Sequence, residues 1–294
     1  MKRICCTGAL GFSLLLGTAR AMDLILNTDA ETGFLRSGGI MPRYLLMLAC
    51  VLLILLAGHF VPPGQPTGLR PKGAAWMRGS NFLLVPLAFC CELYGFLFLL
   101  NCLFGVPVQT SSKHHAMDNM RLYNLRQFAD GARAALFVLF GIWCLLLFFE
   151  NLTRIPHGEW MPVFGVLSSV GFYLHTTIRF IERPSSLYRI VLVVEILSAL
   201  SALLFVTALL RALYLHASLQ TARALCRGGL LAFFFCTCLA LPQTVWAYAK
   251  GTEPLVSLIL AAGNGCLGLA GAVCACRVAN EAEKPEGAQE PEKM

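Results

Sequence analysis

The stretch MPVFGVLSSVGFYLHTTIRFIERPSSLYRIVLVVEILSALSALLFVTALLRA, residues 161–212, decides the fold. It contains two long apolar segments separated by the polar turn Glu182-Arg183-Pro184-Ser185-Ser186. Each segment is long enough to cross a hydrocarbon core of about 30 Å as a helix. Because a short connection makes two helices antiparallel neighbours, the stretch predicts a membrane-spanning helical hairpin.

Three ionisable side chains lie inside this hairpin: His175 and Arg179 on the first arm, and Glu195 on the second. His175 and Glu195 are equally far from Ser185, so two helical arms would place them at the same depth, where they could share a proton. Ionisable groups within spans are enriched at functional sites. The structural alternative is a packed interhelical histidine, an Arg179 that reaches the headgroups, and a neutral or paired Glu195.

Composition extends the membrane interpretation to the whole chain. Of 294 residues, 57% are hydrophobic and 13% are charged, whereas soluble domains carry roughly 25% charged residues. The charges are also segregated into short stretches between long uncharged ones. We therefore predict an all-α polytopic bundle over residues 1–276 and a disordered acidic tail over residues 277–294. The net charge of +7 is attributed to headgroup contacts, so the expected partner is the lipid bilayer and not a nucleic acid.

Eight spans are predicted, with a short amphipathic helix at residues 120–128 lying in the interface before the fourth. Pro242 predicts a kink in the seventh span. In the eighth, a stripe of small residues predicts a packing seam, and Asn264 is expected to hydrogen-bond a neighbouring helix. The spans cover residues 4–26, 44–61, 81–104, 132–149, the two arms within 161–212, 229–249 and 254–276, and the stripe consists of Ala261, Gly265, Gly268 and Ala272.

The first span has two interpretations. The tripeptide at residues 19–21 resembles a signal-peptide cleavage site, and cleavage there would leave seven spans. We favour a retained helix because the apolar pattern resumes at residues 24–26. Arg20 and Asp23, spaced i, i+3, could then pair near the membrane surface.

The remaining candidates are weaker. Glu92 lies near the midpoint of the third span, either as a proton- or cation-coupling site or as a neutral interhelical acid. Most of the 13 cysteines lie in apolar stretches and are interpreted as small hydrophobic residues. The C-x-C pairs at residues 236–238 and 274–276 leave soft-metal binding as a minor alternative, since their spacing differs from the usual C-x2-C. We predict no metal site and no cofactor.

One resemblance follows from residues 29–34, Asp-Ala-Glu-Thr-Gly-Phe, which lie between a first helix and a glycine-containing turn that precedes a string of spans. This layout resembles uncharacterised multi-pass membrane proteins of anaerobic Gram-positive bacteria. The resemblance implies a bacterial cytoplasmic membrane and a retained first helix. That group has no established activity, so it implies no functional residues.

Two classes of function stay open. The first is a non-enzymatic carrier of a small molecule or ion, or a ligand-sensing bundle, with Glu92, His175 and Glu195 as its polar interior. The second is a membrane-embedded enzyme acting on a lipid, with His175 as acid or base and Arg179 holding an anionic headgroup. The first needs fewer assumptions because the sequence offers no nucleophile constellation or metal set. A structural subunit of a larger complex is a third hypothesis, and the oligomeric state is left open. We expect a cytoplasmic C-terminus because the number of spans is even and the N-terminus begins with the basic residues Lys2 and Arg3.

Overall fold

The computed structural model describes residues 2–29, 34–36, 39–61, 81–104, 120–153, 160–182, 189–214 and 221–281. Every named element within these ranges is a helix, and the only strand-like feature is an isolated antiparallel bridge between Thr28 and Leu35. The elements are α1 Lys2–Asn27, α2 Ile40–His59, α3 Asn81–Phe104, α4 Met120–Thr153, α5 Trp160–Glu182, α6 Ile190–Tyr214, α7 Thr221–Ala232, a π-helix Phe233–Ala240, α8 Leu241–Ala249 and α9 Leu255–Glu281.

Eight of the described helical segments are long and apolar enough to cross a membrane, when α7, the π-helix and α8 are taken as one continuous span. Their lengths run from 19 to 29 residues, which satisfies the requirement of about 20 residues for a helix crossing the hydrocarbon core. The prediction of an all-α, eight-span bundle is therefore confirmed. Such an arrangement keeps backbone hydrogen bonds within each span, as the interior of a bilayer demands.

Two predicted boundaries differ from the observed ones. The helix expected at residues 120–128 is present, but it is not a separate interfacial helix, since α4 runs without a break from Met120 to Thr153. Helix α9 continues to Glu281, beyond the predicted end of the bundle at 276. The loops predicted at residues 62–80 and 105–119 and the tail from residue 282 lie outside the described residues.

Four spans form an open ring around one central span. In the order α2, α1, α9 and α6, each helix packs against the next. The ring is open between α6 and α2, where the described residues make little or no close contact. Helices α3, α4 and α5 form a second row of packed helices that runs from α9 to α6. The central span of α7, the π-helix and α8 packs against α1, α2, α6 and α9, and it is the most buried of the eight.

A π-helix lies directly before Pro242, where the sequence predicts a kink. Proline cannot donate a backbone hydrogen bond, and its ring crowds the carbonyl group four residues earlier, at Cys238. The structure accommodates this by widening the helix between Phe233 and Ala240, directly before the proline. The wider turns end where the Leu241 amide donates to the Cys236 carbonyl, five residues back.

The predicted seam of small residues on α9 faces the central span. A Cβ atom on Gly268 would lie 2.4 Å from Thr237 Oγ1, and one on Gly265 would lie 3.0 Å from a Leu241 methyl group. Thr237 Oγ1 also donates a hydrogen bond of 2.8 Å to the Gly265 carbonyl oxygen. The seam thus brings the backbone of α9 close enough to be bonded from the π-helix.

Helix α1 belongs to the packed bundle. At Gly17 it lies so close to the π-helix that a Cβ atom would be 2.7 Å from that of Cys238. It continues without a break through residues 19–21, the possible cleavage site. The predicted pair is present, with Arg20 Nη1 2.5 Å from Asp23 Oδ2.

Candidate functional site: an apolar groove between α2 and α6

Glu92 lies at the interface between α3 and α4, next to Gly141. A Cβ atom on Gly141 would be 2.8 Å from Glu92 Oε1, so the absence of a side chain there makes room for the carboxyl group. Glu92 Oε1 is buried and makes no hydrogen bond within the described part of the chain. Neither the coupling nor the structural interpretation of this acid is tested by its position.

His175 is buried on α5 at the end of a group of aromatic rings shared with α4. Its ring lies edge-on to Phe137, with centroids 6.0 Å apart, and Phe137 in turn packs edge-on against Phe172 at 5.1 Å. Helices α5 and α6 pack together as the hairpin requires, and Glu195 is half-buried on α6. The proposed proton sharing between His175 and Glu195 stays a prediction. Arg179 is on α5, and its side chain lies outside the described residues.

Asn264 is buried on α9, 6% exposed, beside the contact with the π-helix. The hydrogen bond between helices at this level is the one that Thr237 donates to the neighbouring Gly265 carbonyl. The five predicted polar residues are therefore spread over α3, α5, α6 and α9. Of these five, the residues whose side chains the structure describes do not line the cavity between α2 and α6.

The cavity is a groove of about 310 Å³ that lies at the opening of the ring. Its walls are α2 on one side and α6 on the other, and its floor is the central span. The lining is apolar except for the hydroxyl groups of Tyr44 and Ser201, and it consists of Tyr44, Met47, Leu48, Val51, Val193, Leu197, Leu200, Ser201, Leu204, Leu231 and Phe235.

The groove has the length of one leaflet of a bilayer. Along α6 it extends from Val193 to Leu204, which is about 16 Å at 1.5 Å per residue. Half of a hydrocarbon core of about 30 Å is about 15 Å. Both walls begin near a membrane face, since Val193 and Tyr44 lie within about one turn of the first residues of α6 and α2. A groove of this length that begins in the first turns of α2 and α6 would reach from one membrane face to about the middle of the bilayer.

The floor of the groove includes part of the π-helix. Phe235 belongs to it, and Leu231 lies just before it. Ser201, a lining residue of α6, lies 3.6 Å from the Cys236 thiol, and that thiol donates a hydrogen bond of 3.2 Å to the Ser198 carbonyl. The irregular turns are thus in contact with the groove and bonded to one of its walls.

Three arginines lie near the first turns of α2 and α6, where the groove begins, and we name this end of the groove the Arg43 face. Arg43 donates two hydrogen bonds to the carboxylate of Asp23, from Nε to Oδ2 at 2.8 Å and from Nη2 to Oδ1 at 2.5 Å. Arg20 pairs with the same carboxylate, so two guanidinium groups share one aspartate. The Arg20 guanidinium also interacts electrostatically with Tyr44, which lines the groove. At the start of α6, Arg189 lies over the ring of Phe34, 4.7 Å from its centroid.

Several cysteines from different helices lie in contact with one another, which the sequence did not predict. Cys6 on α1 has thiol contacts with Cys226 on α7 and Cys276 on α9. The 12 cysteines whose side chains the structure describes form no disulfide. No group of three or more His, Cys, Asp or Glu side chains in the described ranges is arranged to hold a metal ion.

Sequence reasoning missed the groove because none of its lining residues stands out. They are ordinary apolar residues of membrane helices, and only the pairing of helices shows that they surround a space. One signal was available for the Arg43 face. Arg43 lies at the start of the second apolar stretch, and Arg20 and Asp23 lie at the end of the first, so a third partner for that predicted pair was within reach.

Comparison with known proteins supplies no assignment: no family model, curated protein or solved structure is significantly similar to this chain.

Proposed function

We propose that this protein is a non-enzymatic membrane bundle that binds the acyl chain of a lipid in the groove between α2 and α6 and responds to it through the π-helix. The observation that carries the proposal is the opening of the ring at a groove of one-leaflet length with an almost wholly apolar lining. Ligand sites are concave and mostly apolar, with few polar groups. This favours the ligand-sensing form of the first class of function over an ion carrier.

The response is assigned to the π-helix because its geometry has a close alternative. A π turn differs from an α turn by one residue in its hydrogen-bond register, and π segments are often found at functional sites. An acyl chain against Phe235 would press on this segment from the groove. Ser201 and Cys236 would pass any shift between the segment and α6, since their side chains are in contact.

The test is photo-crosslinking in membranes with a phospholipid that carries a diazirine within one acyl chain. Labelled peptides are identified by mass spectrometry. We expect labelling to concentrate on the lining residues of α2 and α6. Val51→Trp places a large side chain in the groove and should abolish that labelling. Leu52→Trp is the matched control, since Leu52 is adjacent, 56% exposed and not part of the lining.

Even labelling of all lipid-facing helices, or labelling that survives Val51→Trp, would overturn the binding proposal. The response is tested separately by amide hydrogen exchange of Phe233–Ala240 in lipid-depleted detergent with and without added phospholipid. We expect a changed exchange rate in the wild type and in Leu52→Trp but not in Val51→Trp. Unchanged exchange in a protein whose groove is labelled would remove the sensing role and leave the binding role.

We propose the bacterial cytoplasmic membrane as its location, with the C-terminus on the cytoplasmic side. The resemblance of residues 29–34 and the even number of spans support this. Protease accessibility of a C-terminal tag in spheroplasts, compared with inside-out vesicles, tests the orientation.

A further inference from the structure

Two arginines on α7 face the end of α2, at the opposite end of the bundle from the Arg43 face. The Nε atom of Arg223 donates a hydrogen bond of 2.7 Å to the carbonyl oxygen of Val61, just beyond α2. The stem of Arg227 lies against α2 at Gly58, where a Cβ atom would collide with the Arg227 Cγ atom. Because the two arginines are four residues apart, they project from the same face of α7.

The outer nitrogens of both guanidinium groups are available to a ligand. Among the described residues, the bond from Arg223 to Val61 is the single hydrogen bond of the pair, and neither arginine forms an ion pair. The Nε atom of Arg227 is buried without a hydrogen-bond partner in the described part of the chain. The four Nη atoms of the pair are not buried, so they can still donate hydrogen bonds.

No carboxylate among the described side chains balances these two charges. Helices α1, α2, α6 and α9 pack against α7. The described acids on these helices are Asp23, near the end of α1, and Glu195, near the start of α6, and both belong to the Arg43 end of the bundle. Like charges at i, i+4 repel each other, and they do so more strongly where water is partly excluded. An anion held between the two guanidinium groups would remove this repulsion.

We infer that Arg223 and Arg227 bind one phosphate group at this membrane face. Guanidinium groups hold phosphate oxygens through paired, charge-assisted hydrogen bonds. Arg227 belongs to the seventh span, about 9 Å along the helix from its first residue, and a charge within a span without a partner is costly. The contacts with Gly58 and Val61 already hold both side chains in place, which lowers the entropy cost of binding.

The site is separate from the groove, whose lining residue Leu231 lies one turn further along α7. The inference therefore does not depend on the proposed function. Two sources supply the same chemistry, the headgroup of a phospholipid in the adjacent leaflet and free phosphate in solution, and they are separated experimentally.

The lipid source is tested by native mass spectrometry of the full-length protein with phosphatidylglycerol and with diacylglycerol of the same acyl chains, which lacks the phosphate. We expect phosphatidylglycerol to bind at least about fivefold more tightly, since one basic residue near an anionic lipid contributes roughly that factor. Arg227→Gln should remove most of this preference. Arg227→Lys keeps the charge and the stem but not the planar fork, and it should keep part of the preference. The matched control is Arg211→Gln, an exposed arginine in the last turn of α6 at the same membrane face, which should leave the preference unchanged.

Free phosphate is tested by the melting temperature of the lipid-depleted protein in millimolar inorganic phosphate, compared with chloride at equal ionic strength. Stabilisation that Arg227→Gln abolishes, without a preference for phosphatidylglycerol, would identify free phosphate as the occupant. If the wild type shows neither effect, the inference is wrong, and this comparison needs no variant. A preference that Arg211→Gln lowers as much as Arg227→Gln does would also overturn it, since it would show general attraction to a basic surface. Val51→Trp, which fills the groove, should change neither result, so failure of the groove and failure of this site are distinguishable.

Discussion

Among the described glycines, the closest approach to the backbone of another helix lies between α7 and α9. It predicts that a single added methyl group causes a large loss of stability. A Cβ atom on Gly229 would lie 2.4 Å from the Gly271 carbonyl oxygen, 3.0 Å from its carbon and 3.2 Å from its Cα atom. All three are backbone atoms, so no side chain can rotate away. Gly229→Ala must therefore move one helix relative to the other.

The size of the effect follows from these distances. Ordinary contact begins at 3.4 Å, so the helices must separate locally by about 1 Å. Inserting a methyl group into a close-packed contact costs about 1–3 kcal/mol. Because α7 belongs to the central span, the displacement would also disturb its contacts with α2 and α6. We expect the upper half of that range for Gly229→Ala.

The assay measures the apparent melting temperature of the purified protein in detergent. The readout is the fraction of protein that stays monodisperse after heating. Gly11→Ala is the matched control, since a Cβ atom there meets nothing within 4 Å. It should leave the melting temperature unchanged or raise it slightly, because alanine is the better helix former. A Gly229→Ala variant as stable as Gly11→Ala would refute the close crossing of α7 and α9.

Three further predictions test individual residues. If His175 and Glu195 share a proton, the two single alanine variants and the double variant should give non-additive losses of stability in a thermal-shift cycle, and additive losses would remove the pair. Gly141→Ala should destabilise by about 1–3 kcal/mol, and adding Glu92→Ala should restore part of that loss in the same assay, since the new methyl group meets the carboxyl group. Intact-mass spectrometry of the membrane-extracted protein should show that residues 1–21 are retained, and a mass corresponding to cleavage after residue 21 would contradict the eight-span bundle.

Some local interactions were accessible from the sequence because their geometry depends on one helix alone. The ion pair of Arg20 and Asp23 follows from an i, i+3 spacing. At Pro242 the missing backbone donor predicted a kink, not the π turns that precede the proline. The small residues of α9 likewise predict a close contact wherever their face is turned. Which helix meets that face was not predictable, since it depends on residues far apart in the chain.

The sequence by itself determined that this is an eight-span helical membrane protein, because the cost of burying charge and the gain of burying apolar surface are properties of each segment. Only the tertiary structure decided where those segments leave a space. The opening between α2 and α6 exists because the central span holds both helices while they scarcely touch each other. The ion pair between Arg43 and Asp23 likewise joins α2 to α1. Such arrangements depend on shape complementarity between distant surfaces, which hydropathy does not encode.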